Sequence, residues 1–389
     1  MNNTLEKFKK ELLESCVPFW LKNGVDKECG GVITCLDRKG EIYSEDKSVW
    51  MQGRAGWMFS YIYNNIEKKP EYLDFAKSCI DFATKYCIDE DGRMFFTVTR
   101  DGKPLRKRRY WFSETFYIMA NAEYYMATGD KNCLEQAKKY FDFVYGMYVD
   151  PNTDPYKITP KSYAKTRQTK TLANPMILLN VASIMRCADV GNEAYYDKII
   201  DGFVNDIKEF YKPELNATLE NIGVDGQPIL NTATCRVVNP GHDIECSWFL
   251  LEEGLRRKDN ELICFAENMF NVAFNFGWDK EYGGLFYFKD VLGMPVEAYE
   301  HDMKLWWPHN ETIIASLMFY KHTNDQKYLK IFNDVVEYTF EHFADKEYGE
   351  WFGYLRRDGL PTEPPCKGHT YKGPFHVLRM LAKCILLLK

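Results

Sequence analysis

The sequence predicts an all-α fold, an (α/α)6 barrel in which six helical hairpins form two concentric rings, with short β-hairpins in the loops. Two observations predict this fold. A turn-rich segment recurs six times along the 389 residues, and the intervals between copies contain one amphipathic and one largely apolar helical stretch. Because the repeats fill the chain, residues 1–389 are predicted to form a single domain.

The repeated segment combines aspartate and glycine with alternating aromatic and β-branched residues, a composition typical of tight turns and short hairpins. Two of the clear copies read D-K-E-C-G-G-V-I-T-C and D-K-E-Y-G-G-L-F-Y-F. The Asp-Gly pairs at Asp101-Gly102 and Asp358-Gly359 are expected to close hairpins. The six copies lie 61 to 66 residues apart, at or near Asp26, Asp89, Asp150, Pro213, Asp279 and Asp345.

Two kinds of helix lie between the copies. Stretches such as 136–148 and 329–343 carry charges on one face and Phe, Tyr or Val on the other, as expected for the outside of a barrel. Stretches such as 175–185 and 375–388 are apolar around most of their circumference, as expected for helices buried on nearly every side. A closed ring and a linear solenoid both fit such pairs, and the lack of a polar capping repeat favours closure.

Composition argues against several classes of protein. Hydrophobic residues make up 46% and aromatic residues 16% of the chain, which suits a large core and a pocket whose aromatic rings hold a sugar. The net charge of −6 gives no reason to expect binding to nucleic acid or to an anionic membrane. No apolar run approaches the roughly 20 residues that span a bilayer, and the N-terminus lacks the apolar region of a signal peptide.

The distribution of cysteines and the absence of cofactor motifs indicate an intracellular protein that uses neither zinc nor another cofactor. Twelve cysteines show neither a C-x-x-C pair nor zinc-finger spacing, which predicts reduced thiols, no structural zinc and a soluble cytoplasmic protein. There is no phosphate-binding G-x-x-x-x-G-K-[ST] loop, Rossmann glycine fingerprint or H-E-x-x-H motif. No metal or other cofactor is therefore expected in the chemistry. The basic run 103–109 is interpreted as a solvated loop, with phosphate binding as the alternative.

Two histidines occupy the same register in different repeats. Each follows by two residues a proline that is predicted to begin an inner helix. In a closed barrel these N-termini converge, so His242 and His376 would flank one cavity, with the helix dipole keeping both imidazoles neutral. The alternative is that these histidines are surface or packing residues without a role in chemistry. The four prolines, 65 to 68 residues apart, are Pro175, Pro240, Pro308 and Pro374.

Other polar and aromatic residues near the predicted rim are candidates for substrate binding. Glu245 and Arg379 each follow a histidine by three residues and lie on the same helix face. Arg54 lies among tryptophans and glycines, where an unpaired guanidinium would be costly. For these three the alternative is a structural ion pair. The further candidates are Glu114, Trp306, Trp307, Glu311 and Asn174, the last of which is also interpreted as a helix N-cap.

Several of these segments resemble the N-acylglucosamine 2-epimerase family, whose mammalian members are also known as renin-binding protein. The segments include N-P-G-H-D-I-E, M-K-L-W-W-P-H-N-E and F-H-V-L-R. The resemblance implies an (α/α)6 barrel with His242 and His376 as the acid/base pair. The P-P-C-K-G-H-T segment from Pro364 departs from the glycine-rich stretch of the mammalian members. The sugar-binding residues implied are Arg54, Glu245, Glu311 and Arg379.

The resemblance also implies an activity, the interconversion of N-acetylglucosamine and N-acetylmannosamine by proton removal and return at carbon 2 of the open-chain sugar. A homodimer that acts in amino-sugar and sialic acid metabolism is expected. Because several members are activated by ATP without consuming it, a nucleotide is a candidate allosteric activator. The alternatives are an aldose-ketose isomerase, a cellobiose-type 2-epimerase, a glycoside hydrolase, and a sugar- or protein-binding module without activity.

Overall fold

The computed structural model describes residues 2–107, 111–155 and 165–389. Helices make up most of it. In chain order they are α1 (Asn2–Lys10), a π-helical segment (Glu11–Cys16), α2 (Val17–Asn23), α3 (Val49–Asn65), α4 (Pro70–Tyr86), α5 (Phe112–Thr128), α6 (Lys131–Val149), α7 (Ala173–Ala188), α8 (Glu193–Lys208), α9 (Pro240–Arg257), α10 (Asn260–Gly277), α11 (Trp306–Thr323), α12 (Gln326–His342) and α13 (His376–Leu388).

The inner helices form a closed ring. Each odd-numbered helix from α3 to α11 packs against the next odd-numbered helix, and α13 packs against α3. Five hairpins follow one another along the chain, and the sixth joins the two ends because α13 packs against α1 and the π-helical segment. The predicted (α/α)6 barrel is confirmed. A linear solenoid is excluded, since its last repeat would not contact its first.

The two kinds of helix occupy the predicted rings. In the inner helix α11, every residue from 306 to 319 is buried. In the outer helix α12, the buried residues Tyr328, Phe332, Val335 and Thr339 recur every three or four positions and form one stripe. Within the described residues, no helix has the length and apolar character needed to cross a bilayer.

Short strands link neighbouring repeats. The strands are β1 (Lys47–Ser48), β2 (Thr97–Val98), β3 (Pro104–Arg106), β4 (Thr169–Thr171), β5 (Tyr211–Lys212), β6 (Ala217–Thr218), β7 (Asn221–Gly223), β8 (Val237–Val238), β9 (Lys289–Asp290), β10 (Lys304–Leu305) and β11 (Tyr354–Leu355). Strands β1, β4, β8 and β10 each precede an inner helix and pair antiparallel with a strand from the next repeat, namely β2, β7, β9 and β11.

Both predicted Asp-Gly hairpins are present. Asp101-Gly102 joins β2 to β3, and Gly102 has φ +92°, a left-handed conformation that suits glycine. Asp358-Gly359 lies within the Leu355–Pro361 pairing. Within the basic run 103–109, residues 104–106 are solvent-exposed as predicted, but they form the third strand of a sheet and not a loop. Residues 108 and 109 lie outside the described residues.

The aspartates that begin three repeats form buried ion pairs. Asp26, Asp279 and Asp345 lie 2.9, 2.9 and 3.0 Å from the Nζ atoms of buried lysines. Each also bonds an arginine from the next repeat, and for Asp345 this is Arg38 in the first repeat. Burial would raise the pKa of each carboxyl, but these cations hold the pKa well below its usual range. The repeated aspartate therefore ties neighbouring repeats together and closes the ring. The lysines are Lys47, Lys304 and Lys367.

Candidate active site

The N-terminal ends of the inner helices surround a cavity of about 1010 Å³. The prolines mark these ends less regularly than predicted. Pro240 is the first residue of α9, Pro175 and Pro308 are third in α7 and α11, and Pro374 precedes α13 by two residues. The three prolines within helices are tolerated because the first amides of a helix have no partner within it, and Pro374 lies outside α13. The histidines that follow still lie beside the cavity.

His242 lies in the first turn of α9. Its backbone N–H donates to the Oδ1 atom of Asn239, which caps the helix. Its Nδ1 lies 2.9 Å from Oε2 of Glu220, and its side chain is 24% exposed, so the ring is accessible from the cavity. Because Nδ1 is bound to a carboxylate, Nε2 is the nitrogen available to a substrate.

His376 begins α13 and has the same arrangement. Its Nδ1 lies 2.8 Å from Oε1 of Glu311, whose Oε2 accepts a hydrogen bond from Trp248 Nε1 at 3.0 Å. Glu311 is fully buried beneath the imidazole. The carboxylate selects the tautomer with hydrogen on Nδ1, which leaves Nε2 for the cavity.

Trp307 connects the two imidazoles. The centroid of its ring lies 5.2 Å from that of His242 and 5.9 Å from that of His376. A Cβ atom at Gly241 would come within 2.6 Å of this indole, so the glycine of the N-P-G-H segment permits the contact. Two imidazoles on different helices are thereby held against one aromatic ring.

The two histidines have opposite pKa shifts. Burial lowers the pKa of His376 well below its usual value, and the positive charges of Arg54 and Arg379 lower it further. Burial also acts to lower the pKa of His242, but the charge and hydrogen bond of Glu220 raise it above the usual value. The pKa shift of His376 agrees in direction with the expected neutral imidazole, whereas at His242 a nearby carboxylate shifts the pKa the opposite way. The two imidazoles therefore differ in how readily they hold a proton, His242 more readily than His376.

Arg379 holds a cluster of buried acids. Ligand atoms of Glu245, Glu311 and His376 lie within 4.8 Å of one another, a spacing that could suit a metal ion. The Nη2 atom of Arg379 lies 2.7 Å from Glu311 and 3.3 Å from Nδ1 of His376, and it also bonds Glu245. The guanidinium thus supplies the positive charge that these carboxylates require.

Arg54 enters the cavity and pairs with no carboxylate of the residues that the structure describes. Its guanidinium lies 4.2 Å from the Phe116 ring centroid and 4.8 Å from that of Phe375. Nη1 donates to the carbonyl oxygen of Tyr371 at 3.4 Å, and Nε is buried with no hydrogen bond to any described residue. Burial lowers the pKa of Arg54 to about 9, which leaves it charged at neutral pH. Its chemistry suits an oxygen that becomes negative.

The remaining predicted residues divide into two groups. Trp306 and Asn174 line the cavity. Asn174 is the second residue of α7 and does not cap it, so the N-cap interpretation is wrong; its Oδ1 is buried with no partner among the described residues. Glu114 does not line the cavity, because Oε1 accepts from Nε of the buried Arg93 at 2.7 Å and from Met94 N–H at 2.8 Å. The prediction that Glu114 contacts substrate does not agree with this placement.

Comparison with known proteins agrees with this geometry. The family described as N-acylglucosamine 2-epimerase (GlcNAc 2-epimerase) matches residues 31–377. The chain belongs to this family. The N-acylglucosamine 2-epimerase of Bos taurus is 39% identical over 96% of this chain and 88% of its own length. The cellobiose 2-epimerase of Bacteroides fragilis is 26% identical over 98% of each chain.

Solved structures show the same fold. The cellobiose 2-epimerase from Bacillus thermoamylovorans has a TM-score of 0.86 at 22% identity, covering 99% of this chain and 100% of that one. At this identity the likeness concerns the barrel alone. Family membership comes from the sequence match, and it makes the chain a carbohydrate epimerase of the isomerase class.

Sequence reasoning missed Glu220, the partner of His242. In five of the loops, an amide following the turn donates to the end of the preceding outer helix, as Leu219 does to Phe210 and Phe352 does to Phe343. The next residue is Glu220 in the fourth repeat and Gly353 in the sixth. A carboxylate at this register in the fourth repeat was a detectable signal, but the weakness of this copy obscured it.

Proposed function

We propose that the chain interconverts N-acetylglucosamine and N-acetylmannosamine by inverting carbon 2 of the open-chain sugar. The observation that carries the proposal is the pair formed by His242 and His376. Both present Nε2 to one cavity, both are held at Nδ1 by a carboxylate, and their pKa values shift in opposite directions. Inversion needs a base on one face of carbon 2 and an acid on the other.

The reaction balances with these two groups alone. A neutral imidazole Nε2 accepts the proton of carbon 2, and the electron pair of the broken C–H bond forms a C1–C2 double bond while O1 becomes negative. The protonated imidazole on the opposite face then returns a proton to carbon 2, and the C1–O1 double bond re-forms. Proton exchange with water resets the pair. The directions of the pKa shifts favour His376 as the base and His242 as the acid when the cycle begins.

Arg54 is assigned to the enolate oxygen. A guanidinium without a carboxylate partner contributes most where negative charge develops, because its charge is already oriented before reaction. Arg54→Ala should lower kcat/KM by about 10²- to 10³-fold. A variant with nearly intact kcat/KM would show that the oxygen is stabilised by another group.

Rival reactions make different demands on the site. A glycoside hydrolase needs two carboxylates free to flank a glycosidic bond, whereas Glu245 and Glu311 are both bound by Arg379. Incubation with N-acetylglucosamine, mannose and cellobiose, followed by chromatography of the products, separates the remaining options. N-acetylmannosamine from the first sugar is expected. Ketose products would indicate an isomerase, glucosylmannose a cellobiose-type epimerase, and binding without any product a sugar-binding module.

We also propose that the enzyme is a cytoplasmic homodimer of amino-sugar and sialic acid metabolism, requires no cofactor, and is activated by ATP. Helical barrels of this type commonly dimerise through outer helices, and the family resemblance supports the nucleotide. Light scattering at micromolar concentration should give twice the mass of the chain. ATP and a non-hydrolysable analogue should raise the rate equally. A monomeric mass, or activation by ATP only with its hydrolysis, would contradict these proposals.

A further inference from the structure

His369 belongs to the segment that departs from the family pattern, and the predicted reaction assigns it no role. It lies in the loop between β11 and α13, at the start of a tight turn in which its backbone pairs with that of Lys372. Its carbonyl oxygen accepts a hydrogen bond from Thr34 Oγ1 at 3.0 Å. The backbone of this turn is therefore anchored to the first repeat, across the seam that closes the barrel.

The hydrogen bonds of the His369 ring fix its tautomer. Nδ1 accepts from the backbone N–H of Tyr371 at 2.9 Å, so hydrogen must be on Nε2 in the neutral ring. Nε2 is buried and has no hydrogen-bond partner among the described residues. Burial, with a smaller contribution from Lys372, lowers the pKa of His369 to about 3. The ring therefore acts as a fixed acceptor at neutral pH.

Three aromatic residues that line the cavity surround this imidazole. The ring centroids of Tyr354, Tyr371 and Trp306 lie 5.0, 5.8 and 6.0 Å from that of His369. Trp306 also contacts His376, at 6.2 Å between centroids. Tyr371 bears the carbonyl that accepts from Arg54. A single ring thus contacts the tryptophan next to one catalytic histidine and the tyrosine that binds the catalytic arginine.

We propose that His369 is a positioning residue, which orients Arg54 through Tyr371. The Nδ1 bond fixes the peptide before Tyr371, and the carbonyl of Tyr371 in turn fixes Nη1 of Arg54 toward the cavity. Burying Nε2–H without a partner among the described residues is unfavourable, and we attribute its retention to the positioning of Arg54. The assignment rests on the proposed function, since Arg54 acts there on the enolate oxygen.

Two substitutions of His369 distinguish the contribution of the Nδ1 acceptor from that of the aromatic ring. His369→Phe keeps an aromatic ring and removes Nδ1, whereas His369→Asn places Oδ1 near the position of Nδ1 and removes the ring. His369→Phe should lower kcat/KM by about 10- to 100-fold, chiefly through kcat, and His369→Asn should recover most of the loss. His342→Phe, a part-buried histidine on the outer helix α12, is the control and should retain wild-type kcat/KM.

A double-mutant comparison with Arg54→Ala distinguishes a positioning role of His369 from a general disturbance of the fold. In an Arg54→Ala background, His369→Phe should change kcat/KM by no more than about twofold, because the group that it positions is already gone. A full 10- to 100-fold loss in that background would overturn the proposal, as would equal losses in His369→Phe and His369→Asn. Unfolding curves identify any variant that is not folded at the assay temperature.

A measurement without turnover tests the assignment independently of the proposed function. In protein with ¹⁵N-labelled histidine, the signal lost in His369→Asn should show a neutral ring with hydrogen on Nε2 down to pH 5. A charged ring at pH 6, or hydrogen on Nδ1, would overturn the His369 proposal even in an active epimerase. Wild-type protein that inverts no sugar but shows the expected signal would instead contradict the proposed function and, with it, the catalytic purpose of the positioning.

Discussion

Replacing Glu311 with glutamine tests whether the buried carboxylate under His376 organises the site. Glu311 is fully buried, and its two oxygens bind His376 Nδ1, Arg379 and Trp248. The amide is nearly the same size but carries no charge. It therefore leaves Arg379 with one carboxylate, Glu245, and removes the charge that holds the Nδ1–H tautomer of His376.

Glu311→Gln should change both the free energy of unfolding and kcat/KM. Breaking a buried ion pair costs about 3–5 kcal/mol, and because Arg379 keeps its bond to Glu245, the free energy of unfolding should fall by about 3 kcal/mol. Loss of the group that orients a reacting imidazole should lower kcat/KM by about 10- to 100-fold. Urea denaturation measures the first quantity, and initial rates of N-acetylmannosamine formation measure the second.

The exposed Glu337 on α12 provides the matched control, since Glu337→Gln makes the same chemical change far from the cavity. It should alter unfolding by no more than about 0.5 kcal/mol and leave kcat/KM unchanged. Glu311→Gln with wild-type stability and wild-type turnover would refute the argument that this carboxylate orients His376 and balances Arg379.

Three further predictions concern the ring, the histidine pair and metal. Asp345→Asn leaves Lys367 buried without its charge partner and should lower the free energy of unfolding, measured by urea denaturation, by about 3–5 kcal/mol; a decrease under 1 kcal/mol would contradict this. Because the pKa of this carboxyl is depressed in the folded state, its contribution to wild-type stability is fully present above about pH 4 and should be lost as the pH falls below that value. Glu220→Gln should lower the pKa of His242 and move the alkaline limb of kcat/KM to lower pH, because the pair must hold one proton in either direction; an unmoved limb would refute this. EDTA should leave turnover unchanged, and loss restored by a divalent ion would show a metal requirement.

The barrel fold could be predicted from the sequence because the turn segments and the two helix types that indicate it are repeated. Each of the six turn segments is weak alone, but their regular spacing and the alternation of helix types such as α11 and α12 leave few architectures open. The positions of His242 and His376 followed from the same register. Both were found because each follows by two residues a proline that lies at or just before the N-terminus of an inner helix.

The errors arose where long-range contacts override local pattern. The pKa of His242 depends on Glu220, which is 22 residues distant in sequence, so a helix-dipole argument could not anticipate it. Glu114 resembled a site residue because it follows aromatic residues in W-F-S-E-T-F-Y, as Glu311 does in W-W-P-H-N-E, yet its carboxylate binds Arg93. The contacts of His369 depend on a loop without periodicity, and only coordinates show that its ring meets Trp306 and Tyr371.

Deuterium exchange in the two histidine variants tests the central claim most directly. In deuterated water, wild-type enzyme should place deuterium at carbon 2 of the product from either epimer. His242→Asn and His376→Asn should each lose inversion by orders of magnitude, while the surviving base exchanges the carbon 2 hydrogen of the epimer on its own face. Mass spectrometry of the recovered sugars should show deuterium in one epimer with one variant and in the other epimer with the other variant. Exchange of the same epimer by both variants, or inversion near the wild-type rate by either, would contradict the two-histidine account.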